Sequence, residues 1–300
     1  MLEAVPNVSE GRDVVAVAAI GDAFGTGAAL LDVHSDVDHH RSVFTLAGQD
    51  EVLVAALVRG VAASVELIDL RRHSGVHPRV GAADVVPLVP LRPADMERAR
   101  EAALMLAGRL GDELGLTVFL YGEVGDGRRP AFFRRGGPEE LQRRVDSGEL
   151  APAAGPSRMD PRSGAVLVGA RAPLVAYSLV LDPQDVAVAG EVAAAVRESS
   201  GRLPGLQAIG LRLESTGHSQ VSMNVIDLER APLHEVVERV RREAGERGAR
   251  VVSGELVGLV PERVLVAARE AGVEIPGVDE SHVLETAVGN TLGWWPGRSS

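Results

Sequence analysis

The stretch Arg71-Arg72-His73-Ser74-Gly75-Val76-His77-Pro78-Arg79-Val80-Gly81-Ala82-Ala83-Asp84-Val85-Val86-Pro87 joins two contrasting patterns. Before it, residues 50–70 place apolar side chains at helical intervals, which predicts a long amphipathic helix. After it, residues 82–89 form a nearly continuous apolar run, which predicts a buried strand. Gly75 weakens a helix, and Pro78 removes a backbone donor and turns His77 away from helical geometry. A shaped loop carrying imidazole and guanidinium groups is therefore expected between a helix and a strand. Such loops, mounted on rigid elements, are where binding and proton transfer concentrate.

Working outward, residues 2–6 read as a strand, 14–24 as a helix, and 28–33 and 42–47 as two further strands. Beyond residue 89, a helix is expected over 93–114 and a strand over 117–121. An Arg-, Pro- and Gly-rich segment follows from 126 to 164, with one helix over 138–147. The remainder predicts strand 174–181, helix 183–199, strands 206–213 and 218–226, helix 232–247, strand 250–256 and helix 261–272. Each half thus runs strand, helix, strand, strand, helix, strand. The fold class expected is α+β, two ferredoxin-like (βαββαβ) subdomains with their sheets facing each other across a ligand cleft. The boundaries expected are 1–172 and 173–274, with 275–300 as a peripheral tail.

At 300 residues the chain is long enough for two domains of ordinary size. A net charge of −11 argues against nucleic acid as the main partner, while locally gathered arginines still suit an anionic small molecule. With no cysteine, disulfides, thiolate metal sites and cysteine nucleophiles are excluded. No apolar run is long enough to span a bilayer, and no leader pattern opens the chain, so a cytoplasmic protein without a membrane partner is expected.

His73 and His77 have the i, i+4 spacing of a helical metal pair, but Gly75 and Pro78 argue against that helix, and no metal is expected. A histidine beside Arg79 has its protonated form disfavoured by the neighbouring charge, which suits a general base. A second concentration of titratable groups, His34 to Arg41, reads equally as a metal-binding loop or a solvated connection between strands. Glu123 follows a strand end, a position as suitable for an active group as for a helix cap. By composition, Gly155-Pro156-Ser157-Arg158-Met159-Asp160-Pro161-Arg162-Ser163-Gly164 reads as a linker. Motifs for nucleotide hydrolysis, dinucleotide redox chemistry and α/β-hydrolase catalysis do not occur.

Taken in order, several segments resemble the glutamate formimidoyltransferase family, the formiminotransferase half of formimidoyltransferase-cyclodeaminase. They are residues 5–12 (Val-Pro-Asn-Val-Ser-Glu-Gly-Arg), Asp38-His39-His40-Arg41-Ser42-Val43, the His73 to Ala82 run and Leu120-Tyr121-Gly122-Glu123. Gly169-Ala170-Arg171, Gln220-Val221-Ser222-Met223-Asn224 and Glu255 to Pro261 continue the match. The resemblance implies transfer of a formimidoyl group from N-formimidoyl-L-glutamate to tetrahydrofolate in histidine degradation, by a homodimer whose subdomains enclose a folate tunnel. It implies that His77 is the catalytic base and that Gly155 to Gly164 binds folate, replacing the linker expectation. Arg41, Arg79 and Arg171 are the candidates for substrate carboxylates, with His73 and Glu123 as positioning groups.

The chain also departs from the family. Where members carry H-K-G-E-H-P-R, it has Ser74 and Val76. His34 stands for an acidic residue and His40 for Asn. Ala172 and Ser178 replace Lys and Asn of a second motif, and Met223 replaces a Thr found in some members. A folate-independent amidine transferase or hydrolase, and a non-catalytic folate- or anion-binding module, are the alternatives.

Overall fold

The computed structural model describes residues 1–182 and 185–293, in two compact units, Met1–Ala172 and a second beginning at Pro173. The fold is α+β with two separate sheets. No helix among the described residues is long and apolar enough to cross a membrane.

In the first unit the elements are β1 (Leu2–Ala4), β2 (Asn7–Val8), α1 (Val14–Gly25), β3 (Ala29–Asp36), β4 (Arg41–Gly48), α2 (Asp50–Leu67) and β5 (Ala83–Pro90). They are followed by α3 (Met96–Leu114), β6 (Thr117–Gly122), α4 (Pro130–Arg134), α5 (Gly137–Asp146) and β7 (Ala165–Ala170). Asp13 starts α1 by accepting hydrogen bonds from the Val15 and Ala16 amides, a cap typically worth about 1 kcal/mol. In the seven-stranded sheet β3 pairs with β4, β1 and β2 lie between β4 and β5, and β7 runs parallel between β5 and β6.

Two cores sandwich this sheet. One face buries Phe44, Leu46, Val86 and Leu88 against Ile20, Phe24, Leu53, Leu57 and Leu106 of α1, α2 and α3. On the other, Val85, Phe119, Tyr121 and Leu167 pack with Phe133 and Leu141 of α4 and α5. The strand β7 was not anticipated. Its run Ala-Val-Leu-Val-Gly-Ala is buried on both faces, so it lacks the alternation that marks a half-exposed strand and it follows a long irregular segment. The expected helix over 50–70 ends at Leu67, where a 3₁₀ turn at Leu70–Arg72 takes over, held by Asp69 accepting from the Arg71 amide.

One irregularity positions the site. Asn7 pairs with Val85 and Val8 with Ala83, leaving Asp84 without a partner opposite it. This bulge re-aims the Asp84 side chain, and its carboxylate is buried.

The second unit contains β8 (Val175–Asp182), α6 (Val186–Val196), β9 (Leu206–Arg212), β10 (Ser219–Val225), α7 (Leu233–Glu246), β11 (Arg250–Val257), α8 (Glu262–Glu270) and α9 (Leu284–Leu292). Its antiparallel sheet has the order β11-β8-β10-β9. Val175, Tyr177, Leu179, Val221 and Met223 face the core with Val192, Val236 and Val240 of the helices. Met223 therefore belongs to the packing of this unit. By strand alternation the opposite face carries Ser178, Gln220, Ser222 and Glu255, with Ser178 in register between Ser222 and Glu255. The stretch expected to be a peripheral tail places Ile275 and Val283 in this core, with Val283 bridged to Val260. Residues 183–184 of the helix expected over 183–199, and 294–300 of the expected tail, lie outside the described residues.

Gly60 of α2 faces the Phe24 ring so closely that a Cβ there would lie 1.9 Å from it. Gly60→Ala should destabilise the protein by about 1–3 kcal/mol through overpacking, read as a lower urea midpoint at unchanged slope.

Candidate active site

The loop from His73 to Gly81 folds back over the β3–β4 turn. Val76 N–H donates to the Asp38 carbonyl at 3.3 Å. Gly75 sits where a Cβ would meet the His39 carbonyl at 2.7 Å and His40 Cβ at 2.8 Å, so only glycine permits this approach. Arg79 shapes the loop from within: it donates to the Gly75 carbonyl at 3.1 Å, to the His77 carbonyl at 2.5 Å, and to Nδ1 of His73. These bonds occupy Arg79 with the loop itself.

His73 stacks on His40 with ring centroids 3.9 Å apart and bonds to the His40 carbonyl through Nε2 at 3.0 Å. With Arg79 donating to Nδ1, His73 is neutral and protonated on Nε2. Burial and Arg79 push it down to about 4. His40, at φ 48°, places Nδ1 2.8 Å from the Ser74 carbonyl and Nε2 3.0 Å from the Glu10 carboxylate. Both oxygens only accept, so His40 serves both when both nitrogens carry protons. Although burial opposes ionisation of Glu10, amides of Asp13 and Arg12, together with His40, hold it below the usual carboxylate range. Ser74 and Val76 thus leave a loop tied down by His40, Ser74's carbonyl and Arg12, whose Nη1 lies 3.4 Å from Ser74 Oγ.

Behind this layer lies the charged centre. Asp84 accepts from the Val80 amide at 2.7 Å, from Arg41 Nη1 at 3.0 Å and from Arg134 Nη2 at 2.5 Å. Burial alone would raise the Asp84 carboxyl, but Arg134 and Arg41 outweigh it and keep it ionised. Arg41 also donates from Nε and Nη2 to Asn7 Oδ1, at 2.9 and 2.5 Å. Burial, then Arg134, bring its guanidinium down to about 10, still protonated at neutral pH. His77 Nδ1 lies 3.1 Å from Arg41 Nη1, and the ring of His39 lies 6.1 Å away, itself bonded to Asp36 at 2.7 Å. Burial first, and then Arg41, Arg134 and His39, hold His77 neutral by pushing it well below its ordinary 6.5.

Tyr121 adds a phenol to the group. Burial raises it to about 12, while Arg171, Arg134 and Arg41 act in the opposite sense, so all three guanidinium groups are close to it. Arg171 is in this way gathered with Arg41. Glu123, just past the C-terminal end of β6, is not: it lines a groove of about 560 Å³ with Glu97, Arg100 and Glu101 of α3, whereas Tyr121 packs into the core on the other face of the sheet. The run Gly155 to Gly164 is split in character. Residues 155–158 are exposed, whereas Met159, Ser163 and Gly164 are buried, and Gly164 forms a bridge with Gly81 of the histidine loop.

Sequence patterns did not single out Asp84, Arg134, Asn7 or Tyr121. Asn7 and Tyr121 stand in stretches that carry the resemblance, and Asp84 ends the opening stretch. Arg134 gave no signal, being one of several arginines in a segment without periodicity.

A buried neutral histidine, a carboxylate shared by two arginines and a third arginine beside a phenol form the candidate site of this unit. The formiminotransferase domain, N-terminal subdomain, matches residues 1–171, and the formiminotransferase domain matches 176–288. Glutamate formimidoyltransferase of Thermoplasma acidophilum is 36% identical over 294 residues, covering 95% of this chain and 96% of that protein. The protein of the same name from Streptococcus pyogenes serotype M1 is 34% identical, covering 95% and 99%. Formimidoyltransferase-cyclodeaminase of Sus scrofa is 39% identical over 281 residues, or 89% of this chain and 51% of that protein. The chain belongs to the formiminotransferase family.

Two outcomes follow from the charges. Asp84→Asn leaves two buried guanidinium groups without their anion and should cost about 3–5 kcal/mol, measured by denaturant unfolding. Because folded His73 takes up its proton near pH 4 rather than 6.5, the unfolded chain binds more protons between those values, and stability should fall as pH drops through that window. His73→Gln should flatten this part of the Tm-against-pH curve.

Proposed function

We propose that this chain is a glutamate formimidoyltransferase, moving the formimidoyl group of N-formimidoyl-L-glutamate to N5 of tetrahydrofolate in histidine degradation. The observation that carries this is the placement of His77, neutral and hydrogen-bonded, inside the Arg41–Asp84–Arg134 cluster in a chain of this family. N5 must lose a proton as it bonds to the amidine carbon, and the glutamate nitrogen must gain one as it leaves. A single histidine can do both, a contribution typically of about 10²- to 10⁴-fold. Arg41 and Arg171 are proposed to take the carboxylates of the substrates, where charge-assisted hydrogen bonds are the strong ones.

The segment Gly155 to Gly164 is proposed to contact folate through its exposed residues Pro156, Ser157 and Arg158, its buried end being anchored beside Val80 and Gly81. Each unit is further proposed to be built on a ferredoxin-like βαββαβ core. The element order of both units and the strand order β11-β8-β10-β9 support it. The proposal extends, on family grounds, to a cytoplasmic homodimer.

Purified protein should convert N-formimidoyl-L-glutamate only when tetrahydrofolate is present, and His77→Ala should lower turnover by two or more orders of magnitude while the circular dichroism spectrum stays unchanged. Consumption of the donor without tetrahydrofolate would instead indicate an amidine hydrolase. Folate binding without turnover of the donor would indicate a binding module.

A further inference from the structure

The contact between Arg41 and His77 decides which nitrogen of the ring carries the proton. A guanidinium offers N–H donors and no acceptor, so Nδ1 of His77 supplies its lone pair to Arg41 Nη1 at 3.1 Å. The neutral ring is then protonated on Nε2. In this form the lone pair a base needs is already occupied, and the other nitrogen is a donor. His77 as it stands is the histidine of the right charge in a capped state.

Arg41 is built to be released at one end. Its Nε and Nη2 are anchored on Asn7 Oδ1, whose own Nδ2 donates to the Val5 carbonyl at 2.7 Å. The Nη1 end alone spans His77 Nδ1 and Asp84 Oδ2. Asp84 does not depend on Arg41, since Arg134 and the Val80 amide also bind it. An incoming anion can thus pivot the planar guanidinium about its Asn7 contacts, carrying Nη1 away from His77, while Arg134 continues to neutralise Asp84.

We propose that Arg41 is a positioning residue acting as a carboxylate-operated gate: at rest it caps Nδ1 of His77 and sets the Nε2–H form, and a substrate carboxylate that takes over Nη1 uncaps the base. This rests on the formimidoyltransferase assignment for the identity of the carboxylate, not for the capping itself. In the uncapped state N5 bonds to the amidinium carbon while the C=N π pair moves onto the amidine nitrogen, the N5–H bond breaks and the proton passes to Nδ1; the same pair re-forms C=N when the glutamate nitrogen leaves. The ring becomes an imidazolium with both nitrogens protonated. When the C–N bond to glutamate breaks, that proton moves to the departing amine nitrogen and the ring returns to the Nε2–H form. The charged groups facing His77 through this cycle are Arg41, Arg134 and His39, with Asp84 as their counter-anion and Arg79 on the His77 carbonyl. Without a substrate anion, a proton on Nδ1 would face the Arg41 guanidinium directly, so the gate also keeps the base uncharged until the carboxylate has arrived.

Long-range ¹H–¹⁵N correlation spectra of the [¹⁵N]histidine-labelled full-length protein test this, with His77 assigned by the loss of its signals in His77→Gln. In the free protein His77 should show the Nε2–H form. L-Glutamate at saturation should shift its Nδ1 resonance and raise the protonated fraction at a fixed acidic pH by about tenfold or more, one pKa unit. Arg41→Gln should abolish this response and leave His77 uncapped without ligand, and Arg41→Lys, which keeps a cationic donor, should restore part of it. An Nδ1–H form in the free protein overturns the capping. A His77 signal indifferent to glutamate, in a protein that turns over formimidoylglutamate, overturns the gate. Absent turnover with the Nε2–H form and its loss in Arg41→Gln intact would refute the assigned reaction and leave the capping standing.

Discussion

A carboxylate taken out of water must be matched by cations or it will not stay ionised. Asp84 is matched by Arg41, Arg134 and the Val80 amide, and most of the first unit's chemistry follows from that match. The bulge opposite Asn7 and Val8 aims Asp84 off its strand. The start of β4 delivers Arg41, and the short helix α4 delivers Arg134. Removing Asp84 leaves two buried guanidinium groups without their anion, and Arg134 of α4 ties the central sheet to a helix covering one of its faces.

Around that cluster the histidines divide the work by protonation state. His40 bridges a carboxylate and a carbonyl and needs both ring protons, while His73 and His77 each accept from an arginine and must be neutral. His73, kept neutral by burial and Arg79, stacks on His40 at 3.9 Å. The result is a cationic site in a chain of net charge −11. Local gathering of guanidinium groups, not overall composition, is what suits it to carboxylate substrates.

Much of the first unit's framework was legible from residue patterns. Amphipathic spacing located α2 and α3, apolar runs located β4, β5 and β6, and Gly75 with Pro78 broke any helix through the two histidines. The match of ordered motifs pointed to His77, Arg41 and Arg171. Less was visible where a residue's role comes from a neighbour far along the chain: Arg134 acts through Asp84, 50 residues away. Likewise β7 is a strand because β5 and β6 flank it, and Met223 belongs to a core rather than to a binding face.

By itself the sequence determined the α+β class, the loop that bears His77 and the family to which the chain belongs, since these depend on local periodicity, on Gly and Pro backbone limits and on ordered motifs. Only the tertiary structure decided that Arg79 holds the loop together, that Glu123 stands apart in its own groove, and that Arg41 caps the nitrogen of His77. Hydrogen-bond direction and burial arise from atoms brought together across tens of residues. No spacing along the chain encodes which lone pair a folded guanidinium will meet.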